Sequence, residues 1–419
     1  MDISQTLLIN INDLRIGHYV YLDLGWMQHP FPLNHFKIQS QAQINTIRSL
    51  GLAQVRFAPD HSDALTTEPS PICSKQSAIS PDKQRIQEHQ ARIRAQRNQL
   101  LESDRRFNEA ASVYHLITSN LDKDASLALQ NAQRLVTGMM DDFLSHDDIS
   151  IRLLSENNAE QGTLHSLNVT ILAMLLAKTS GLEMTQIIDI GVAGLLHDIG
   201  KISLPYRVRS FNEQMTQAEK NLYESHVLLG VNIAKDMGCN SLIQLMIAQH
   251  HELADGSGFP SHLLDKDIPI PCQIISLINA YDNLCNPANP SFAITPHEAI
   301  SLIFARMRNQ FNKDTITLFI RMMGVYPPGS TVQLTDNRYA IVISVNSARP
   351  LKPNIIVYDR NIHIDDALII DLTDYPELSI QRSIKPIELP KAVFDYLSPR
   401  KRACYFFERG HIITPAQSS

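Results

Sequence analysis

From about residue 107 to about residue 325, apolar residues recur at helical spacing almost without a break. This feature constrains the fold more than any other, because it predicts one large helical domain. Two helix starts inside it are explicit. Thr216-Gln-Ala-Glu219 and Thr295-Pro-His-Glu298 both fit the capping box, in which hydroxyl and carboxylate satisfy opposite orphan amides. Pro296 suits the first helical position, and Gly324 after Arg-Met-Met can stop the last helix. Within SLINAYDNL, Leu277, Ile278, Tyr281 and Leu284 keep the apolar spacing, and Asn279 sits among them.

The flanks differ in texture. Residues 1–70 read as a small α+β domain. LLININ, HYVYLDL and AQVRFA are strands, and Ser40 caps the helix QAQINTIRSL, which ends at Gly51. Trp26 and Phe31 read as core of that domain. TTEPSPICSKQSAISPDK reads as an exposed loop, and Arg85 to Arg106 as a solvated connector helix of alternating charge. After YPPGS come the β-rich runs TVQLT, YAIVISV, NIIVYD and ALIIDL. The expected architecture is multidomain and mainly α: accessory domain 1–70, loop and connector helices 71–134, helical domain 135–325, and a small antiparallel β module 326–419.

Of the 419 residues, 44% are hydrophobic, which suits a globular protein. A net charge of −6 and a pI near 6.2 argue against a general nucleic-acid binder. Cysteines at 73, 239, 272, 285 and 404 form no CxxC pair, so a reducing cytoplasm is expected. The opening MDISQTLLININDL lacks the pattern of a signal peptide. The longest apolar run, VTILAMLLA, is far short of the ~20 residues that span a membrane.

The chemistry lies in the helical domain. GLLHDIGK places His197 beside Asp198 at the end of an apolar helix, with Gly200 expected to end it and Lys201 following. His165 and His226 each sit among apolar neighbours, and His250 and His251 end the helix LIQLMIAQHHE. One such histidine is most often a satisfied core or capping residue. Five of them near helix ends, with an aspartate, would be costly to bury unpartnered, and metal ions would use their lone pairs directly. Asp255 to Pro260, DGSGFP, is a tight loop. It is either an ordinary turn between helices or a loop that brings the backbone amides of Asp255, Gly256, Gly258 and Phe259 near a phosphate ligand.

His165, HDIGK, His226, the HH pair and DGSGFP, in that order, resemble the HD-GYP family, a branch of the HD-domain metal-dependent phosphohydrolases that hydrolyse the bacterial messenger cyclic di-GMP. The opening segment DLRIGHYVYLDLGWMQHPFPLNHFKI and the β tail resemble frequent companions of such domains. The resemblance implies an all-helical HD-type domain and two divalent transition metals, iron or manganese. His165, His197 and Asp198 would hold the first, with Asn279 at its last ligand position. Asp198 would bridge to the second, which His226, His250 and His251 complete. A hydroxide between the metals would attack phosphorus, and Lys201 would lie against a phosphate oxygen. The implied partners are cyclic di-GMP, diguanylate cyclase (GGDEF) domains and a second copy of the chain as a homodimer.

The chain departs from the family at Asn279, where an aspartate is usual. Asn offers an oxygen without charge, or it merely pairs with another polar group. Gln161 replaces a glutamate, Gln273 an arginine and Phe259 the GYP tyrosine. Two classes of function follow. One is a phosphodiesterase that yields linear pGpG or GMP. The other is a receptor or interaction module that keeps the pocket without turnover.

Overall fold

The computed structural model describes residues 7–22, 35–50, 52, 54–62, 81–144, 149–154, 160–212, 214–346, 349–399 and 403–409. The chain divides into two units, residues 1–79 and 80–419.

In the first unit, strands β1 (Leu7–Asn10), β2 (Tyr19–Tyr21), β3 (His35–Lys37) and β4 (Gln54–Phe57) form an antiparallel sheet in the order β1-β4-β2-β3. Helix α1 (Gln41–Ser49) starts at Ser40, whose hydroxyl accepts from the Gln43 amide at 3.3 Å. Its Ile44 and Ile47 join Val20, Leu22, Ile38 and Val55 in a small core. Only the first four residues of LLININ are extended. Asn10 then caps a 3-10 turn over Ile11–Asp13. Strand β3 was not anticipated. Trp26, Phe31, Gly51 and most of the Pro- and Ser-rich segment lie outside the described residues.

The second unit opens with α2 (Pro81–Asn120) and α3 (Ala125–Leu144). The solvated connector is the front of α2, where Arg105 pairs with Glu102 at 2.7 Å and with Glu109. From Phe107 onward α2 turns an apolar face inward: Phe107, Ala110, Tyr114 and Ile117 pack with Ala128, Ala132 and Val136 of α3. The expected boundary at 135 therefore falls inside a packed helix. Next come β5 (Ile149–Leu153), α4 (Gln161–Thr179), α5 (Met184–Leu196), α6 (Gln217–Glu224), α7 (His226–Met237), α8 (Ser241–Gln249), α9 (Ile270–Cys285), α10 (Pro296–Ala305) and α11 (Lys313–Met323). Every residue of α4 from Leu164 to Ala177 is buried, as befits a helix surrounded by others. Both capping boxes form, at the starts of α6 and α10, and Gly324 ends α11 at φ 72°.

The C-terminal region forms the expected small antiparallel β module, with its own core of Val332, Leu334, Val342 and Ile355, and extends its sheet into the helical region. Strands β6 (Thr331–Leu334), β7 (Tyr339–Asn346), β8 (Asn354–Val357), β9 (Ile370–Asp371) and β10 (Ile380–Ser383) are antiparallel, but β7 also pairs with β5 from the helical region. On the other side of β5 lies β11 (Tyr405–Arg409), with Tyr405 opposite Leu153. ALIIDL is extended only at Ile370–Asp371. Between β10 and β11, helix α12 (Lys391–Leu397) puts Val393 and Leu397 into the helical core, as do Tyr405 and Phe406. The alternation Ile149, Ile151, Leu153 against Ser150 and Arg152 is the period-two signal of a strand. Among the described residues, no helix is long and apolar enough to cross a membrane.

Candidate metal centre

Three helix ends and one helix interior deliver the five histidines. His165 projects from buried α4, and His197 caps the C-terminus of α5. His226 opens α7, and His250 caps the C-terminus of α8, followed by His251. Gly200 does not end α5, which stops at Leu196. It lies in a 3-10 turn, Ile199–Ser203, where a Cβ would come within 2.0 Å of the His226 carbonyl oxygen. Glycine there lets the turn lie against the start of α7, which brings Asp198 to His226.

Two groups of donor atoms result. His165, His197 and Asp198 form one, and Asp198, His226, His250 and His251 the other, with the atoms of each within 4.8 Å of one another. Asp198 belongs to both. Its Oδ2 lies 3.7 and 3.5 Å from Nε2 of His165 and His197, and its Oδ1 lies 3.4 and 3.6 Å from Nε2 of His226 and His250.

The hydrogen bonds behind the rings decide what these nitrogens can do. Nδ1 of His197, His226 and His250 faces the carbonyl oxygens of Gly194, Tyr223 and Ile247, and Nδ1 of His165 lies 2.6 Å from Asp282 Oδ2. Each of these partners can only accept, so each Nδ1 carries the proton and each Nε2 presents a lone pair. Burial, opposed by Asp198, lowers the His197 pKa to about 4 and that of His226 to about 3, so both rings are neutral at pH 7. Yet Nε2 of His165 and of His197 lie 3.1 Å apart, and those of His226 and His250 3.2 Å apart. Facing lone pairs at that distance repel, and a shared cation removes the repulsion. His251 Nε2 and Asp198 Oδ1 are buried with no hydrogen-bond partner, so they too fit a metal ion. The donor set, imidazole nitrogen with one bridging carboxylate, suits first-row transition metals.

Lys201 Nζ is 2.7 Å from Asp198 Oδ2 and 5.2 Å from the centre of the Tyr223 ring. Burial alone would lower its pKa, but the Asp198 carboxylate outweighs this and raises it. Asn279, on α9, puts Oδ1 3.1 Å from His165 Nε2, and the same oxygen accepts from Asn283 Nδ2 at 2.8 Å. Gln273 donates to the Ile268 carbonyl at 2.8 Å, and Gln161 to that of Asn286 at 3.4 Å, so both serve local structure.

In the DGSGFP loop, three backbone amides have partners within the protein. Asp255 Oδ1 accepts from the Ser257 amide at 3.0 Å, the Gly256 amide donates to Leu253 O and the Phe259 amide to His251 O. The amides of Gly256 and Phe259 are thus turned inward, and Pro260 has none. The loop also braces the histidine pair. A Cβ at Gly258 would come within 2.5 Å of His251 O, and the Phe259 ring stacks on His251 at 4.4 Å. Sequence reasoning missed Glu252, a buried carboxylate that takes the amides of Ser261 and Leu263 at 2.6 and 2.8 Å and so ties down the far side of the loop. It also missed Tyr223, whose ring lies against His226 and Phe211. Neither residue carries a spacing signal, since each acts through partners distant in sequence or ambiguous in type.

Residues 148–314 match the family model described as an HD domain. This stretch is thus similar to an HD domain. Residues 6–153 match a domain of unknown function, DUF3391, and residues 331–392 a KOW domain associated with the HD domain. Among individual proteins, the chain is 24% identical over 356 residues to cyclic di-GMP phosphodiesterase PA4108 of Pseudomonas aeruginosa, covering 84% of each. It is 25% identical over 270 residues to cyclic di-GMP phosphodiesterase PdeB of Borreliella burgdorferi, covering 62% of this chain and 71% of that one. A solved structure, Bd1817, a HDG"Y"P protein from Bdellovibrio bacteriovorus, aligns over 75% of this chain and 98% of its own at 15% identity and a TM-score of 0.42.

Proposed function

We propose that the chain is a metal-dependent phosphodiesterase of HD-GYP type that opens cyclic di-GMP to linear pGpG or GMP. The observation that carries this reading is the pair of donor groups sharing Asp198, with imidazole lone pairs turned toward one another. The names of the two relatives supply the substrate. Iron or manganese is the proposed pair of ions. Bound there, such ions would supply Lewis acidity at phosphorus and a nucleophile at neutral pH. The residues do the rest. Asp198 and the histidines fix the donor positions, and α4 and α5 bury them. Lys201 holds a compact positive charge beside Asp198, where a phosphate oxygen gaining charge would meet it. A cytoplasmic location and diguanylate cyclase domains as partners follow from this substrate, and a homodimer is compatible with it.

The second reading, a receptor without turnover, is favoured by Asn279, with the departures at Gln161, Gln273 and Phe259 beside it. Incubation of the iron- or manganese-loaded chain with cyclic di-GMP separates the two. Linear product is expected, and Lys201→Ala is expected to lower kcat about 100-fold or more with little change in KM. Tight binding without product would establish the receptor. A chain that takes up no metal under anaerobic loading would end the enzyme reading.

A further inference from the structure

We infer that the C-terminal strand is a positioning element of the metal centre: the backbone of Ala403 to Tyr405 fixes Asp282, and through it His165. Asp282 is wholly buried on α9. One of its oxygens, Oδ2, faces His165 Nδ1 at 2.6 Å. The other, Oδ1, accepts from Asn168 Nδ2 at 2.7 Å and from Asn286 Nδ2 at 2.8 Å. Both amides reach on to the strand. Asn168 Nδ2 donates to the Ala403 carbonyl at 2.8 Å, and Asn286 Nδ2 to the same oxygen at 2.9 Å. In return Asn286 Oδ1 accepts from the Ala403 amide at 2.8 Å, and Asn168 Oδ1 from the Tyr405 amide at 3.1 Å.

The backbone amides can only donate, so the orientation of both asparagines is fixed. Each Nδ2 is thereby aimed at Asp282. Asn168 and Asn286 are 0% and 4% exposed, so water does not replace a lost partner. Tyr405 Oη meets Tyr281 Oη at 2.9 Å and pins the strand to the same α9 that carries Asp282. A strand that merely covered a core would contribute side chains. This one spends three backbone polar groups on two residues that orient the carboxylate behind a candidate metal ligand, and such outer contacts set ligand direction and basicity.

This role rests on the metal-centre reading, and the test separates the two. The full chain, Asn286→Ala and Asn168→Ala are titrated with Mn(II) and with Co(II), whose absorption reports ligand geometry. His165→Ala and His226→Ala assign each binding step to its donor group. The two asparagine variants are independent, because each leaves the other amide on Asp282. If one fails to fold, the other carries the test. The expected result is a loss of affinity of about tenfold or more confined to the His165–His197 group, with a changed Co(II) spectrum for that step and the His226–His250–His251 step unaltered. Equal loss at both groups, or no loss at either, overturns the positioning role while the metal centre stands. A wild-type chain that takes up no ion overturns the metal centre and this role with it.

Discussion

Asn279 shares one oxygen between His165 Nε2, at 3.1 Å, and Asn283 Nδ2, at 2.8 Å. The group around it has a single carboxylate in direct reach, Asp198, and that is divided with the second group. Asn279→Asp is therefore expected to raise the affinity of the His165–His197 group for Mn(II) by about tenfold or more, since a full charge near a dication at an effective dielectric of ~20 is worth several kcal/mol. Isothermal titration of both chains checks this, and equal affinities would leave Asn279 a pairing residue only. The five histidines and Asp198 were legible in the sequence because imidazoles among apolar neighbours are conspicuous. Asp282 was legible only as a second aspartate three residues after Asn279 on the same helix. Asn168 and Asn286 were not legible: a polar residue on a helix acquires meaning only from its partners, and Ala403, which both amides reach, lies more than a hundred positions away.

At the scale of elements, local chemistry predicted the marked helix starts and missed the strands β3, β5, β10 and β11. The box at Thr295 formed as read: Thr295 Oγ1 takes the Glu298 amide at 3.2 Å, and Glu298 takes the Thr295 amide at 3.0 Å. Thr295→Ala is expected to cost about 1 kcal/mol. Glu298 also pairs with Lys385 at 2.8 Å, which ties α10 to the segment after β10. Burial works to raise the Glu298 pKa, but Lys385 and the Thr295 contacts outweigh it and hold it below its ordinary 4.5. A depressed carboxylate stabilises the fold above its unfolded pKa and loses that effect as pH falls through the folded value. Glu298→Gln keeps the box, because glutamine also fits it, and removes only the charge. Thermal melts should show the variant less stable than wild type at pH 7, with the gap closing as pH drops below 4.5. A gap that persists in acid would assign the effect to packing. Strand β5 escaped because its five residues sit between helical stretches, and its partners β7 and β11 come from the far end of the chain.

On the scale of the whole molecule, the expected domain bounds do not coincide with the boundaries of packing. The helical domain is expected over 135–325, the reach of the family resemblance, yet the core ignores both limits. Phe107, Tyr114 and Ile117 enter it from one side, and Val393, Leu397, Tyr405 and Phe406 from the other. A fragment of residues 135–325 loses all seven of these side chains and half of α3. At about 1.5–3 kcal/mol for each large apolar side chain, the loss matches or exceeds the ~5–15 kcal/mol by which domains are stable. It also strips Asn168 and Asn286 of the Ala403 backbone and leaves buried polar groups unpaired. The fragment should therefore show no cooperative thermal transition and no ordered Co(II) spectrum. A fragment of residues 80–419 keeps every one of these contacts, and its melt should overlay that of the second unit within the full chain. Cooperative melting of residues 135–325 would mean that the helical domain stands without its flanks, and that the C-terminal sheet is a passenger on it.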